Sequence, residues 1–309
     1  MNASVFTPIP AEFASPHTRE KWPSVLCFSG YDPSSGAGIL ADARACAAFE
    51  TFAVGVLTSV VPQNSCGVTH TFALSGAQIE AQFAALCDDI TPAAVKIGLL
   101  SSREVISSVA RALQALPPVP IILDPVFAPS SGENWGTQTL FEAIKAEILP
   151  LVSLVTPNIA EAKILAGGER EIHSVHAMAD AARAIHAQTG VANVLVKGGH
   201  LFTQSGQRKT DRDEALAIDL FFDGQRETQF RARRLETGIT PRNSGENDAA
   251  RAKNGSGVRG TGCLLASAIA AQMANGVAAL DASRLAKIWL FDRISGAQAQ
   301  GMGQKVAVF

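Results

Sequence analysis

An α/β fold built on a mostly parallel sheet covered on both faces is predicted by three observations. Short β-rich runs alternate with stretches of helical period along most of the chain. Several of those runs end on Gly, Asp-Pro, Thr-Pro or Lys-Gly, the residues of loops at strand ends. Late in the chain two strand-like runs bracket Asp223-Gly224, a hairpin turn signal.

The elements follow in order. Ser24–Ser29 reads as a strand feeding a helix over Gly38–Phe49, and Val54–Val61 as one feeding Ala77–Asp88. Ala94–Ile97 then precedes a helix over Arg103–Ala115, and Pro120–Leu123 one over Thr137–Ile148. Leu151–Val155 leads into Ile159–Ala166, helix Val175–Thr189 into strand Val191–Val196, and Ala215–Phe222 pairs with Glu227–Leu235 as the hairpin. The most apolar stretch, Leu264–Leu280, is interrupted by Gln272, Asn275 and Gly276 and reads as a buried helix, not a membrane span. Residues 1–21 lack both a basic start and a continuous apolar run and read as a loosely ordered N-terminal arm, with residues 22–309 as a single domain. Within it the polar, period-free stretch 237–259 reads as a mobile loop insertion, a lid and a tolerated surface insertion being equal alternatives.

Composition narrows the function. With 309 residues, 47% hydrophobic content and a net charge of −2, the chain can bury a large core and carries no basic cluster for a nucleic-acid backbone, so small-molecule partners are expected, with neither nucleic acid nor membrane. Five cysteines, odd in number and widely spaced, fit reduced thiols in a cytoplasmic protein, and no pair has metal-ligand spacing.

Ligands on such sheets gather at the carboxyl ends of the strands, where Gly30, Lys96-Ile97-Gly98, Asp124-Pro125, Thr156-Pro157-Asn158 and Lys197-Gly198-Gly199 all fall. Gly260-Thr261-Gly262-Cys263 opens the helix that starts at Leu264. Unpaired N–H groups there carry about half a positive charge, a seat for a transferring phosphoryl group and a place where a thiol would ionise more easily. By itself the motif reads first as a tight turn entering a buried helix, with Cys263 as a small core residue. Asn158 and Glu161, three apart at a helix start, suit either a hydrated Mg²⁺ or a capping box, and Asp124 either a ligand or a turn cap. Gly36-x-Gly38-x-x-Ala41 lacks the ribose-binding acid of a dinucleotide fingerprint, and His173 with His176 lacks a third ligand. No Walker lysine motif, nucleophile elbow or zinc motif appears.

Together the segments Gly30–Ile39 with Ala41-Asp42, Val61-Pro62-Gln63-Asn64, Lys96–Leu100, Leu123–Val126, Thr156-Pro157-Asn158 with Glu161-Ala162, Val196–His200 and Gly260–Cys263 resemble the hydroxymethylpyrimidine/phosphomethylpyrimidine kinases of thiamin biosynthesis. Several blocks are shared with pyridoxal kinases and the wider ribokinase-like group. The resemblance implies a ribokinase-like three-layer α/β/α sandwich that transfers the γ-phosphoryl of MgATP to a pyrimidine hydroxymethyl group and then a second phosphoryl to that phosphate. A pyridoxal kinase of the same fold and a non-catalytic pyrimidine-binding protein are the alternatives, and a homodimer is implied. Carried over by position, Gln63 binds the pyrimidine edge, with Gly30, Ala37, Asp42, Leu99 and Val126 shaping its pocket. Gly260, Thr261, Gly262 and Cys263 form the catalytic turn, with the Cys263 thiol lowered toward neutrality as base. Asp124 and Glu161 serve Mg²⁺, and Lys197, Thr156, Asn158 and Arg259 lie along the ATP. The chain departs from the pattern at Arg259, where a His is usual, and at Tyr31 and Ser35, where smaller residues are.

Overall fold

The structure is a computed structural model that describes residues 21–126, 138–168, 171–199, 216–235 and 257–309. The arm expected through residue 21 and the insertion expected from residue 237 therefore fall almost wholly outside the described residues. Strands β1 (Ser24–Tyr31), β2 (Phe52–Val60), β5 (Phe72–Ala73), β6 (Ala94–Ile97), β7 (Ile121–Leu123), β8 (Leu154–Val155), β9 (Asn193–Val196), β10 (Leu216–Phe222) and β11 (Glu227–Arg233) form one sheet, in the order β11-β10-β9-β8-β7-β6-β1-β2-β5. From β9 to β2 every pairing is parallel, while β5, β10 and β11 add antiparallel edges. Outside that sheet, β3 (Gln63–Asn64) pairs with β4 (Gly67–Val68), and β12 (Val258–Arg259) runs parallel to β13 (Lys305–Val306).

Alternation along each strand divides the core in two. In β1, Leu26 and Phe28 face a layer containing α2 (Gly76–Cys87), α3 (Arg103–Gln114), α4 (Gln138–Glu147), α5 (Ile159–Leu165) and α6 (Val175–Thr189). Val25 and Cys27 face α1 (Gly38–Ala47), α7 (Thr261–Ala274) and α8 (Ala279–Ser295). Full burial of side chains such as Phe28, Ile97 and Leu123 contributes about 2 kcal/mol each. Serines cap three of the helix starts: Ser75, Ser102 and Ser174 each accept an N–H bond from the first turn.

The structure differs from the sequence reading in three places. The stretch Leu264–Leu280 is two helices, because Asn275 closes α7 and Gly276 turns with φ +85° before α8 begins. Helix α8 is absent from the sequence reading, because its buried face at Ala282, Ser283, Ala286 and Leu290 is carried mostly by small residues while Leu285 and Ile288 are exposed. Residues 258 and 259, read as the end of the insertion, are a strand paired to β13. No helix among the described residues is long and apolar enough to cross a membrane.

Candidate active site

The N-terminus of α7 sits over the carboxyl ends of β1, β6, β7 and β9. Gly260, at φ +70°, is its N-cap, and among the described residues no side chain caps the turn, so its first amides are free to meet an anion. Only glycine fits at that position, since a methyl group there would stand 1.9 Å from the Gly36 carbonyl oxygen. Gly262 faces the other way: a methyl on it would lie 3.0 Å from Asp124 Oδ2 and 3.3 Å from Lys197 Nζ.

Asp124 is buried at the end of β7 and accepts a hydrogen bond from Lys197 Nζ at 2.7 Å. Lys197 arrives from the end of β9, its own N–H bonded to Pro157 O at 2.7 Å, which ties it to the start of α5. There the capping box forms: Asn158 Oδ1 accepts from Glu161 N at 2.9 Å, and Glu161 Oε2 accepts from Asn158 N at 2.7 Å. The capping role does not remove Glu161 from the site. Burial, then Asp124, raises its carboxyl to about 7, against the pull of Lys197 and the Asn158 N–H. Lys197 itself is raised, the carboxylates of Asp124 and Glu161 outweighing burial. Thr156, expected along the nucleotide, is a correction: it has no exposed surface, and its hydroxyl donates to Leu123 O at 3.3 Å inside the sheet.

On the other side of Cys263 is a pocket lined by Ser29, Gly30, Gly38, Val61, Gln63, Lys96, Leu99, Val126 and Cys263. Four residues that the resemblance assigns to the pyrimidine, Gln63, Gly30, Leu99 and Val126, line it; Ala37 and Asp42 do not. Ala37 lends its N–H to Asp32 Oδ2 at 2.8 Å, and Asp42 lies behind the pocket with no exposed surface. There Asp42 is the counter-charge of Lys96, whose Nζ donates to both carboxylate oxygens at 3.0 Å and to Ser29 Oγ at 2.9 Å. Ser267 Oγ adds a bond at 2.8 Å from α7. Asp42 more than compensates burial and holds the Lys96 ammonium charged. Gly98 leaves room for it, since a methyl there would meet Nζ at 2.7 Å. Lys96 was missing from the site as read, although a lone lysine in an apolar strand demands a buried partner and signals one.

Cys263, half-buried, stands where pocket and anion seat meet, with the Gly38 N–H bonded to its sulfur. Its thiol is not lowered. Burial pushes it up to about 11, Asp42 and Asp124 adding to the rise, and Lys96 and the Gly38 N–H offset only part of it. The expected drop toward neutrality is thus overturned: desolvation outweighs the helix start.

Arg259 is a second correction in placement. Its buried guanidinium donates to Asp32 Oδ2 and Ser34 Oγ, each at 3.2 Å, and to Gln63 Oε1 and Asn64 O, all on the pocket side and away from the Asp124–Lys197 pair. Asp32, itself fixed by Ser34 N at 2.8 Å and Ala37 N at 2.8 Å, shapes the 32–37 loop. Ser35 adopts φ +61°, held there by two bonds from the Arg44 guanidinium to its hydroxyl and carbonyl.

Comparison with known proteins gives the family. The family model described as phosphomethylpyrimidine kinase matches residues 32–307. The hydroxymethylpyrimidine/phosphomethylpyrimidine kinase of Rhizobium meliloti is 38% identical over 280 residues, spanning 90% of this chain and 93% of that protein. That of Aquifex aeolicus is 32% identical, spanning 92% and 99%. Among solved structures, a phosphomethylpyrimidine kinase from Clostridium difficile is 30% identical with a TM-score of 0.68, covering 88% of this chain and 99% of that one. A pyridoxal kinase from Staphylococcus aureus, at 24% identity and a TM-score of 0.76 over 93% of both chains, shares the fold. With a family model over residues 32–307 and relatives at 32–38% identity over nine-tenths of its length, this chain belongs to the phosphomethylpyrimidine kinase family, phosphotransferases of the ribokinase-like fold.

Proposed function

We propose that the chain phosphorylates 4-amino-5-hydroxymethyl-2-methylpyrimidine with ATP and then phosphorylates the monophosphate to the diphosphate, a step of thiamin biosynthesis. The observation that carries the reading is the position of Cys263: it borders the Gln63 pocket and belongs to the turn whose next residue back, Gly262, faces the Asp124–Lys197 pair, with room there for no side chain unless the pair shifts. An acceptor in the pocket and a triphosphate over Lys197 would therefore meet at the free amides of residues 260–263. In the first step the hydroxymethyl oxygen attacks the γ-phosphorus and passes its proton to the Cys263 thiolate, while the bond to the β,γ-bridging oxygen breaks and ADP leaves. These amides and Lys197 stabilise the charge that builds on the transferred oxygens.

Asp124 and Glu161 fit Mg²⁺. Two neighbouring carboxylates, one of them driven to about 7 by burial and its neighbour, are relieved by a cation held through one or two protein oxygens, the usual Mg²⁺ arrangement with phosphates. Bound there, the ion would offset phosphate charge. Asn158 serves it indirectly, by orienting Glu161.

A thiol at about 11 is protonated at neutral pH, so a base role for Cys263 makes the alcohol reaction climb with pH. The kcat/KM for the alcohol is expected to rise about tenfold per unit from pH 7 to 9, and Cys263→Ala to remove that slope. The monophosphate, already ionised, should show neither effect strongly. Equal losses in both reactions contradict the base assignment. An ATP-consumption assay with the pyrimidine alcohol, its monophosphate and pyridoxal tests the whole reading: turnover of pyridoxal alone points to the pyridoxal kinase alternative, and no turnover to a binding protein.

A further inference from the structure

The Arg259 side chain gives the acceptor pocket a polarity that Gln63 alone does not fix. A glutamine amide can present either its oxygen or its NH₂ group to a ligand, and in isolation the two orientations are nearly equal in shape. Here the guanidinium, which can only donate, reaches Gln63 Oε1, so the amide oxygen must face Arg259. The guanidinium is itself immobilised: it is 5% exposed, neutralised by Asp32 at 3.2 Å, and further bonded to Ser34 Oγ and Asn64 O. Asp32 is 1% exposed and pinned from the other side by Ser34 and Ala37, so the chain of bonds ends in backbone and cannot turn. Beyond it, β12 is locked to β13, and Val306 stands against Gly36.

We infer that Arg259 is a positioning residue for acceptor selection: it holds the Gln63 amide so that Nε2–H faces the pocket, which then selects a planar heterocycle offering an acceptor atom, such as a ring nitrogen, at that edge. The inference rests on the pyrimidine kinase reading above and assigns Arg259 to the acceptor, not to the nucleotide.

Arg259→Met keeps the length of the side chain and removes its donors. Steady-state kinetics with the pyrimidine alcohol and MgATP should then show KM for the pyrimidine raised about tenfold or more, since a charge-assisted bond has been lost, with KM for ATP within about twofold of the parent. Arg259→Lys, which keeps the charge and a single donor nitrogen, should recover part of the loss. Adding Gln63→Ala to Arg259→Met should cost little beyond the single change, because the amide is already unoriented. If Arg259→Met fails to fold with Asp32 left unpaired, Asp32→Asn with Arg259→Met keeps the cluster neutral and carries the same expectation. Equal rises in both KM values, a rise confined to ATP, or fully additive losses in the double variant would overturn the inference alone. A parent enzyme that turns over no pyrimidine would overturn the reading of the site, and the inference with it.

Discussion

Glu161 shows how one residue serves two purposes with opposite demands. As the N3 member of a capping box it needs only an acceptor oxygen; as a partner for a cation it needs a charge, and burial makes that charge costly. Its carboxyl stands at about 7 in the folded protein against 4.5 ordinarily, so the folded state binds the extra proton. Stability from this group is complete below pH 4.5 and is lost as pH rises through 7, a difference of about 3 kcal/mol. Glu161→Gln retains the bond from Asn158, so in the absence of Mg²⁺ it should raise stability by about 2 kcal/mol at pH 8 and leave it unchanged at pH 4, as read by urea unfolding. An equal gain at both values would mean that the charge is not the cause. At this scale the sequence was ambiguous rather than silent: Asn-x-x-Glu spells cap and ligand alike, and both are realised. Ser35 was a different case, since the Arg44 bonds that let a serine occupy a left-handed turn come from nine positions away.

Among the elements, α7 depends on two glycines that do different work. At Gly260 a methyl would collide with Gly36 O and the backbone already has positive φ, so Gly260→Ala should lower stability by about 3 kcal/mol, measured as a fall in the urea midpoint with an unchanged slope. At Gly262 the neighbours are side chains, Asp124 and Lys197, and the backbone is ordinary helix. Gly262→Ala should leave the midpoint within about 1 kcal/mol of the parent while lowering kcat, because the ion pair is displaced. Long elements were legible because period and caps agree, as for α3 and α6. The two-residue strands β3, β4, β5, β12 and β13 were not, having too few positions to show a period.

For the molecule as a whole, sheet class and the ring of strand-end residues could be read in the chain because each follows an apolar run. What could not be read is which side of Cys263 each residue serves. Arg259 lies 227 positions from Asp32, and Lys96 is 54 from Asp42; neither pairing leaves a local trace. Cys263 misled for the opposite reason, since a helix start is visible in sequence while its desolvation is a property of the assembled layers. The closing segment binds the acceptor side as well: Gln304 N and Gly303 N donate to Ser65 at 2.8 and 3.1 Å, and Lys305 N to Gly257 O at 3.2 Å. Removing residues 298–309 should accordingly raise KM for the pyrimidine far more than KM for ATP. A ribosome making this polypeptide from its amino end completes the whole sheet, Asp124, Glu161 and Lys197 before residues 303–306 exist. A nascent chain would thus assemble the Asp124–Lys197 side of the turn first, and the contacts that fix the opposite side only once residues 303–306 have been made.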